Sequence, residues 1–108
     1  MVQTGTGKDP VVERVVRRIV EEIRPRQVFL FGSRAKGDAR PDSDIDLLLI
    51  YDGPLSKRDV QRQAHRLFED DYVPMDVFVL TSTEMDNLRP VANTLAREVA
   101  ETGVLYYG

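Results

Sequence analysis

The spacing of apolar residues switches several times between helical and strand periods, and each switch marks an element. Val11, Val12, Val15, Val16, Ile19, Val20 and Ile23 recur at three- and four-residue steps, with Glu13, Arg14, Arg17, Arg18, Glu21 and Glu22 on the other face. That pattern predicts an amphipathic helix covering a core. Asp9-Pro10 supplies its N-cap and first helical residue, and Arg24-Pro25 its end. Gln27 to Phe31 then reads as a strand, and the apolar run from Ile45 to Tyr51 as a second. Asp52-Gly53-Pro54 is a turn. Ser56 with Asp59 opens a helix whose inner stripe is Val60, Ala64, Leu67 and Phe68. Val73 to Leu80 is a third strand, Thr81 to Asp86 starts a short helix, and Pro90 opens a last one with Val91, Leu95, Ala96 and Val99 inside. Gly103 caps that helix, and residues 104–107 are expected as a short extended tail.

Residues 1–8 are small and polar and are expected as a flexible N-terminal tail ahead of one domain over 9–108. The element order implies an α/β (α+β) domain with a small mixed β-sheet and helices packed on one face, leaving the open face for chemistry. Gly5-Thr6-Gly7-Lys8 has the look of a phosphate loop. No strand precedes it, its first glycine is wrongly spaced, and Asp9 stands where a magnesium-holding hydroxyl belongs.

The chemistry concentrates between the first two strands. Phe29-Leu30-Phe31 runs into Gly32-Ser33-Arg34-Ala35-Lys36-Gly37, and the second strand opens with Asp44-Ile45-Asp46. Strand side chains alternate, so Asp44 and Asp46 point the same way. Two carboxylates so close repel unless a cation lies between them, and hard oxygen ligands suit magnesium. Gly32 permits close backbone approach, and Ser33 is expected to cap a short helix whose amides face an anion. Arg34, Lys36 and Arg40 are placed to reach phosphates. The plainer alternative is an ordinary turn beside solvated charges. Asp76 is a charge inside an otherwise apolar strand, either functional or an edge charge that discourages strand pairing. His65, the sole histidine, falls on or beside a polar helix face and reads as a surface residue.

Gly-Ser, a polar turn and Asp-x-Asp opening an apolar strand resemble the signature of the DNA polymerase beta nucleotidyltransferase superfamily. In so short a chain, with a closing Gly-Val-Leu-Tyr, the likeness is to the minimal nucleotidyltransferases that pair with HEPN-domain toxins. The resemblance implies catalytic, metal-binding carboxylates at Asp44, Asp46 and Asp76, and nucleotide contacts at Gly32, Ser33 and Arg34. It further implies two magnesium ions, ATP as substrate, and AMP transfer to a hydroxyl of a HEPN toxin, a tyrosine, by which this chain acts as antitoxin. Two rivals stand beside it: a non-catalytic antitoxin that neutralises by binding, and a transferase acting on a small hydroxylated molecule such as an aminoglycoside.

Composition narrows the setting. The net charge is −3 with 31% charged residues, so the basic surplus of a general nucleic-acid binder is missing. There is no cysteine, and no stretch approaches the ~20 apolar residues of a membrane span. A cytoplasmic protein is expected, with a homo- or hetero-oligomer left open.

Overall fold

The computed structural model describes residues 3–4, 9–37, 44–71 and 73–108. At its centre are β2 (Gln27–Phe31) and β3 (Ile45–Ile50), paired antiparallel. Both are apolar at nearly every position, so both faces need cover. Val28 and Leu30, with Ile45, Leu47 and Leu49, enter one cluster beneath α1 (Pro10–Ile23) and α3 (Lys57–Arg66). Phe29, Phe31, Leu48 and Ile50 enter a smaller cluster on the other face, with Met85 of α4 (Ser82–Leu88) and Ala96 and Val99 of α5 (Leu95–Thr102).

The mixed α/β single domain is as expected, but the helices do not all lie on one face. The continuous apolar runs of β2 and β3 account for the difference, because a strand with one open face would alternate polar and apolar residues. β4 (Met75–Leu80) does alternate: Met75, Val77 and Val79 are buried while Asp76 and Phe78 are exposed.

The sheet order is β1-β5-β2-β3-β4, where β1 is Gln3–Thr4 and β5 is Val104–Tyr107. β3 and β4 run parallel, β5 runs antiparallel to β2, and β1 runs parallel to β5. Residues 104–107, expected as a short extended tail, are extended and form an internal strand of the sheet. Of the expected tail, residues 3 and 4 pair with β5, and the others lie outside the described residues.

Asp9 caps α1 as expected, its carboxylate accepting from the Val11 N–H at 2.9 Å, and Arg24 ends the helix in the left-handed region at φ 58°. Val11, counted in the inner stripe, is exposed instead. Pro90 does not open the last helix either. The left-handed Asn93 (φ 65°) breaks the chain there, and the Thr94 hydroxyl caps α5 by accepting from the Arg97 N–H at 3.2 Å. Val91 is consequently left at the surface.

α4 carries a complete capping box: Thr81 accepts from the Glu84 N–H at 3.1 Å, and Glu84 accepts from the Thr81 N–H at 2.9 Å. Because α4 covers Ile50 and Leu80, the box helps hold the smaller core closed. Thr81→Ala is expected to cost about 1 kcal/mol, about 4–8 °C in melting temperature at this size. An unchanged thermal melt would show that the cap contributes nothing. Among the described residues, no helix is long and apolar enough to cross a membrane.

Candidate active site

Ile45 is buried on the α1/α3 side, so the next residue, Asp46, must face the other way. Its neighbours across the sheet are Phe31 on β2 and Asp76 on β4. Asp76 therefore stands directly beside Asp46. Asp44 is exposed and lies just before β3, whose start is pinned by the Ile45 N–H bond to the Pro74 carbonyl at 2.9 Å.

Gly32 follows Phe31 at φ 78°, ψ −157°, a region open in practice to glycine alone. A methyl group there would overlap the Asp46 carboxylate. The bare backbone at Gly32 is thus what lets the turn and the carboxylate occupy the same small space. Ser33 is exposed and opens α2 (Ser33–Lys36) as its first residue. The cap is Gly32, with no side-chain hydrogen bond, so the expectation that Ser33 caps this helix is corrected: the backbone turns one residue earlier, and glycine has no side chain to donate or accept.

The Arg34 guanidinium is largely buried and bonds Asp9 Oδ2 at 2.6 Å. The other oxygen of Asp9 caps α1, and the Asp9 N–H donates to the Tyr106 hydroxyl at 3.3 Å. Asp9 thereby ties α2 to the start of α1 and to β5. The Tyr106 hydroxyl is pushed up from its ordinary pKa, chiefly by burial. Nothing in the spacing of residues 9, 34 and 106 announces this arrangement. Lys36 is exposed at the end of α2, and Arg40 and the Gly5–Lys8 segment lie outside the described residues. His65 is exposed on α3, which covers the opposite face of the sheet.

The Asp46 carboxyl is raised above its usual value. Desolvation is the largest cause, followed by the negative charges of Asp76, Asp44 and Glu98. Three acids thus act on one half-buried carboxyl. Glu98, on α5, was not foreseen, since a residue on the outer side of a distant helix carries no sequence signal linking it to Asp46. Beside it an open cleft of about 590 Å³ runs between Lys36 of α2 and Leu95, Arg97, Glu98 and Glu101 of α5.

These donors suit a hard cation, because oxygen ligands that repel one another gain most from a small divalent charge. Among the described residues, no three His, Cys, Asp or Glu side chains form a ready-made metal cage. Magnesium is commonly held by one or two carboxylates, with water and phosphate completing its shell, so the adjacent Asp46 and Asp76 fit that manner of binding. The Gly32 cradle, which a Cβ would fill, leaves room beside them.

A family model described as "Nucleotidyltransferase domain" matches residues 12–101. No curated protein sequence matches. Among solved structures, similar folds include a chain of a toxin–antitoxin complex with AMP-PNP, at 19% identity and TM-score 0.58, covering 89% of this chain and 73% of that one. A chain of the Shewanella oneidensis complex of tri-AMPylated HEPN toxin with MNT antitoxin matches at 16% identity and TM-score 0.53, covering 91% and 71%. A Sulfolobus solfataricus protein proposed to be a nucleotidyltransferase matches at 28% identity and TM-score 0.52, covering 77% and 85%.

Proposed function

The chain belongs to the nucleotidyltransferase domain family, and from that premise we propose that it is a magnesium-dependent minimal nucleotidyltransferase. In this reading it moves AMP from ATP to a tyrosine hydroxyl of a HEPN toxin and so acts as that toxin's antitoxin. The observation that carries it is the Asp46 carboxylate, half-buried, flanked by Asp44 and Asp76, and in contact range of a glycine backbone that tolerates no side chain.

In the mechanism, Gly32 and Ser33 offer backbone and hydroxyl to the leaving phosphates, and Arg34 acts through Asp9 to hold α2 in place for them. The cleft between α2 and α5 has a volume typical of small-ligand sites and accommodates the rest of the nucleotide. The acceptor oxygen forms a bond to the α-phosphorus. The bond from that phosphorus to the pyrophosphate breaks, and pyrophosphate leaves with the electron pair. Asp76 takes the hydroxyl proton, which its exposed position on β4 permits. Two magnesium ions, held by Asp44, Asp46 and Asp76, would supply charge neutralisation between these carboxylates and the triphosphate. The HEPN partner and the AMP chemistry are supported by the fold likeness to chains of toxin–antitoxin complexes, one with AMP-PNP and one with an AMPylated toxin.

A catalytic effect differs from a stoichiometric one. A trace of this protein with Mg-ATP is expected to add the mass of AMP to an excess of its HEPN partner, which stays silenced after separation. Intact-mass spectrometry beside a ribonuclease assay reads both. Inhibition that needs equal amounts and leaves the partner's mass unchanged would hand the case to a binding antitoxin.

A further inference from the structure

Phosphoryl-group displacement places the attacking and leaving oxygens on opposite sides of phosphorus. On this sheet that line has a direction. α2 follows β2, Asp46 lies on β3, and Asp76 lies on β4, in the spatial order β2-β3-β4. With pyrophosphate leaving at Gly32 and α2 and the α-phosphorus over Asp46, the acceptor must approach over β4. The nucleoside, a substituent set across that line, departs toward the α2/α5 cleft instead.

β4 is the last strand of the described sheet on that side, and its exposed face in this region is Asp76 and Phe78. Phe78 is two residues beyond Asp76 on the same face, about 7 Å along the strand. Phe78 is 41% exposed, although its neighbours Val77 and Val79 are buried. It is also fixed from behind: the Phe31 ring packs against it at 5.6 Å between centroids and 59° between planes, and Phe31 is itself buried next to Asp46. A large ring so held, open to solvent beside the proton-accepting carboxylate, does little for the core.

Resting on the reading above that pyrophosphate is released at Gly32, we propose that Phe78 selects the acceptor. Its exposed ring receives the ring of a phenolic hydroxyl, so that a tyrosyl side chain is held with its oxygen toward Asp76 better than an aliphatic alcohol is. Two aromatic rings gain an edge or offset contact that a seryl or sugar hydroxyl cannot make.

The experiment uses N-acetyl-tyrosinamide and N-acetyl-serinamide as acceptor probes, with Mg-ATP and pyrophosphate release as readout. A phenol's greater acidity affects turnover in every variant alike, so the KM for each probe is the quantity compared. Phe78→Ala is expected to raise KM for the tyrosyl probe about fivefold, within the range an aromatic pair contributes, with little effect on the seryl probe. Phe78→Leu, which keeps apolar contact with Phe31, is expected to behave the same way, and Phe78→Tyr to restore the preference. The Kd for Mg-ATP, measured by calorimetry, should stay within twofold of the parent's. An equal rise in KM for both probes, or a weakened Mg-ATP complex, overturns the assignment, the latter because the ring then stacks on the base. If neither probe turns over, the Phe78 ring resonances decide by titration. Perturbation by the tyrosyl probe alone sustains the role of Phe78, transfer itself being tested separately on the HEPN partner, and no perturbation overturns the role.

Discussion

Asp46→Asn is expected to abolish nucleotidyl transfer, by about a thousandfold, while the metal-free protein melts no lower than the parent. The first half follows from charge: loss of a preorganised electrostatic contact in an active site costs about a hundred- to a thousandfold, and here the contact would also hold the cation. The second half follows from the raised carboxyl. Desolvation and the charges of Asp76, Asp44 and Glu98 make the ionised form of Asp46 unfavourable in the fold.

The sign fixes a pH dependence. With the folded-state value above the unfolded one, the group contributes stability below its ordinary value of 3.8 and loses it as pH rises through the folded value. Asn carries no such liability. The difference in melting temperature between variant and parent should therefore be small in acid and open in favour of Asp46→Asn toward neutrality. Paired thermal melts across pH in the presence of a chelator, beside a transfer assay, test both halves. A variant that melts well below the parent at neutral pH would make the carboxylate structural, and full transfer activity would remove it from the mechanism.

Gly32→Ala is the second large effect, and Gly37 supplies its control. Both glycines have positive φ, 78° and 79°, but their environments differ. Gly37 (ψ 7°) ends α2 in the left-handed region with nothing within 4 Å of an added Cβ, so Gly37→Asn should be nearly neutral. Gly32 is in the glycine-only region, and its added methyl meets the Asp46 carboxylate. Strain of this kind costs about 1–3 kcal/mol, and about 4–8 °C in melting temperature accompanies each kcal/mol at this size. The same methyl displaces Asp46, so Mg-ATP should no longer stabilise the variant. For the parent, the gain at a hundredfold excess over Kd is about 2.7 kcal/mol. Melts of both variants with and without Mg-ATP separate the outcomes. If Gly32→Ala melts and binds like Gly37→Asn, the close approach is of no consequence.

Several features of this protein were legible along the chain because the forces that set them act within a few residues. The Asp9 cap, the inner stripe of α1 and the turn at Gly32 each depend on local geometry, and alternation along β3 is enough to aim Asp46 away from the buried Ile45. The unbroken apolar runs of β2 and β3 also held the information that both faces are covered, although the sequence reading placed the helices on one. At Pro90 two local signals competed, and Thr94 prevailed because its hydroxyl caps α5 after Asn93 has turned the chain.

What remained was decided only by tertiary structure. That β5 enters between β1 and β2, that Arg34 is committed to Asp9, that Glu98 adds its charge to Asp46, and that Phe78 stands open beside Asp76 all depend on which strands and helices become neighbours. Residue types and periods state what a segment can bury. They do not state which distant segment buries it, because that choice is made by packing the whole chain at once, and Asp46 acquires its raised carboxyl only after residues 52 positions apart have been brought to one face of the sheet.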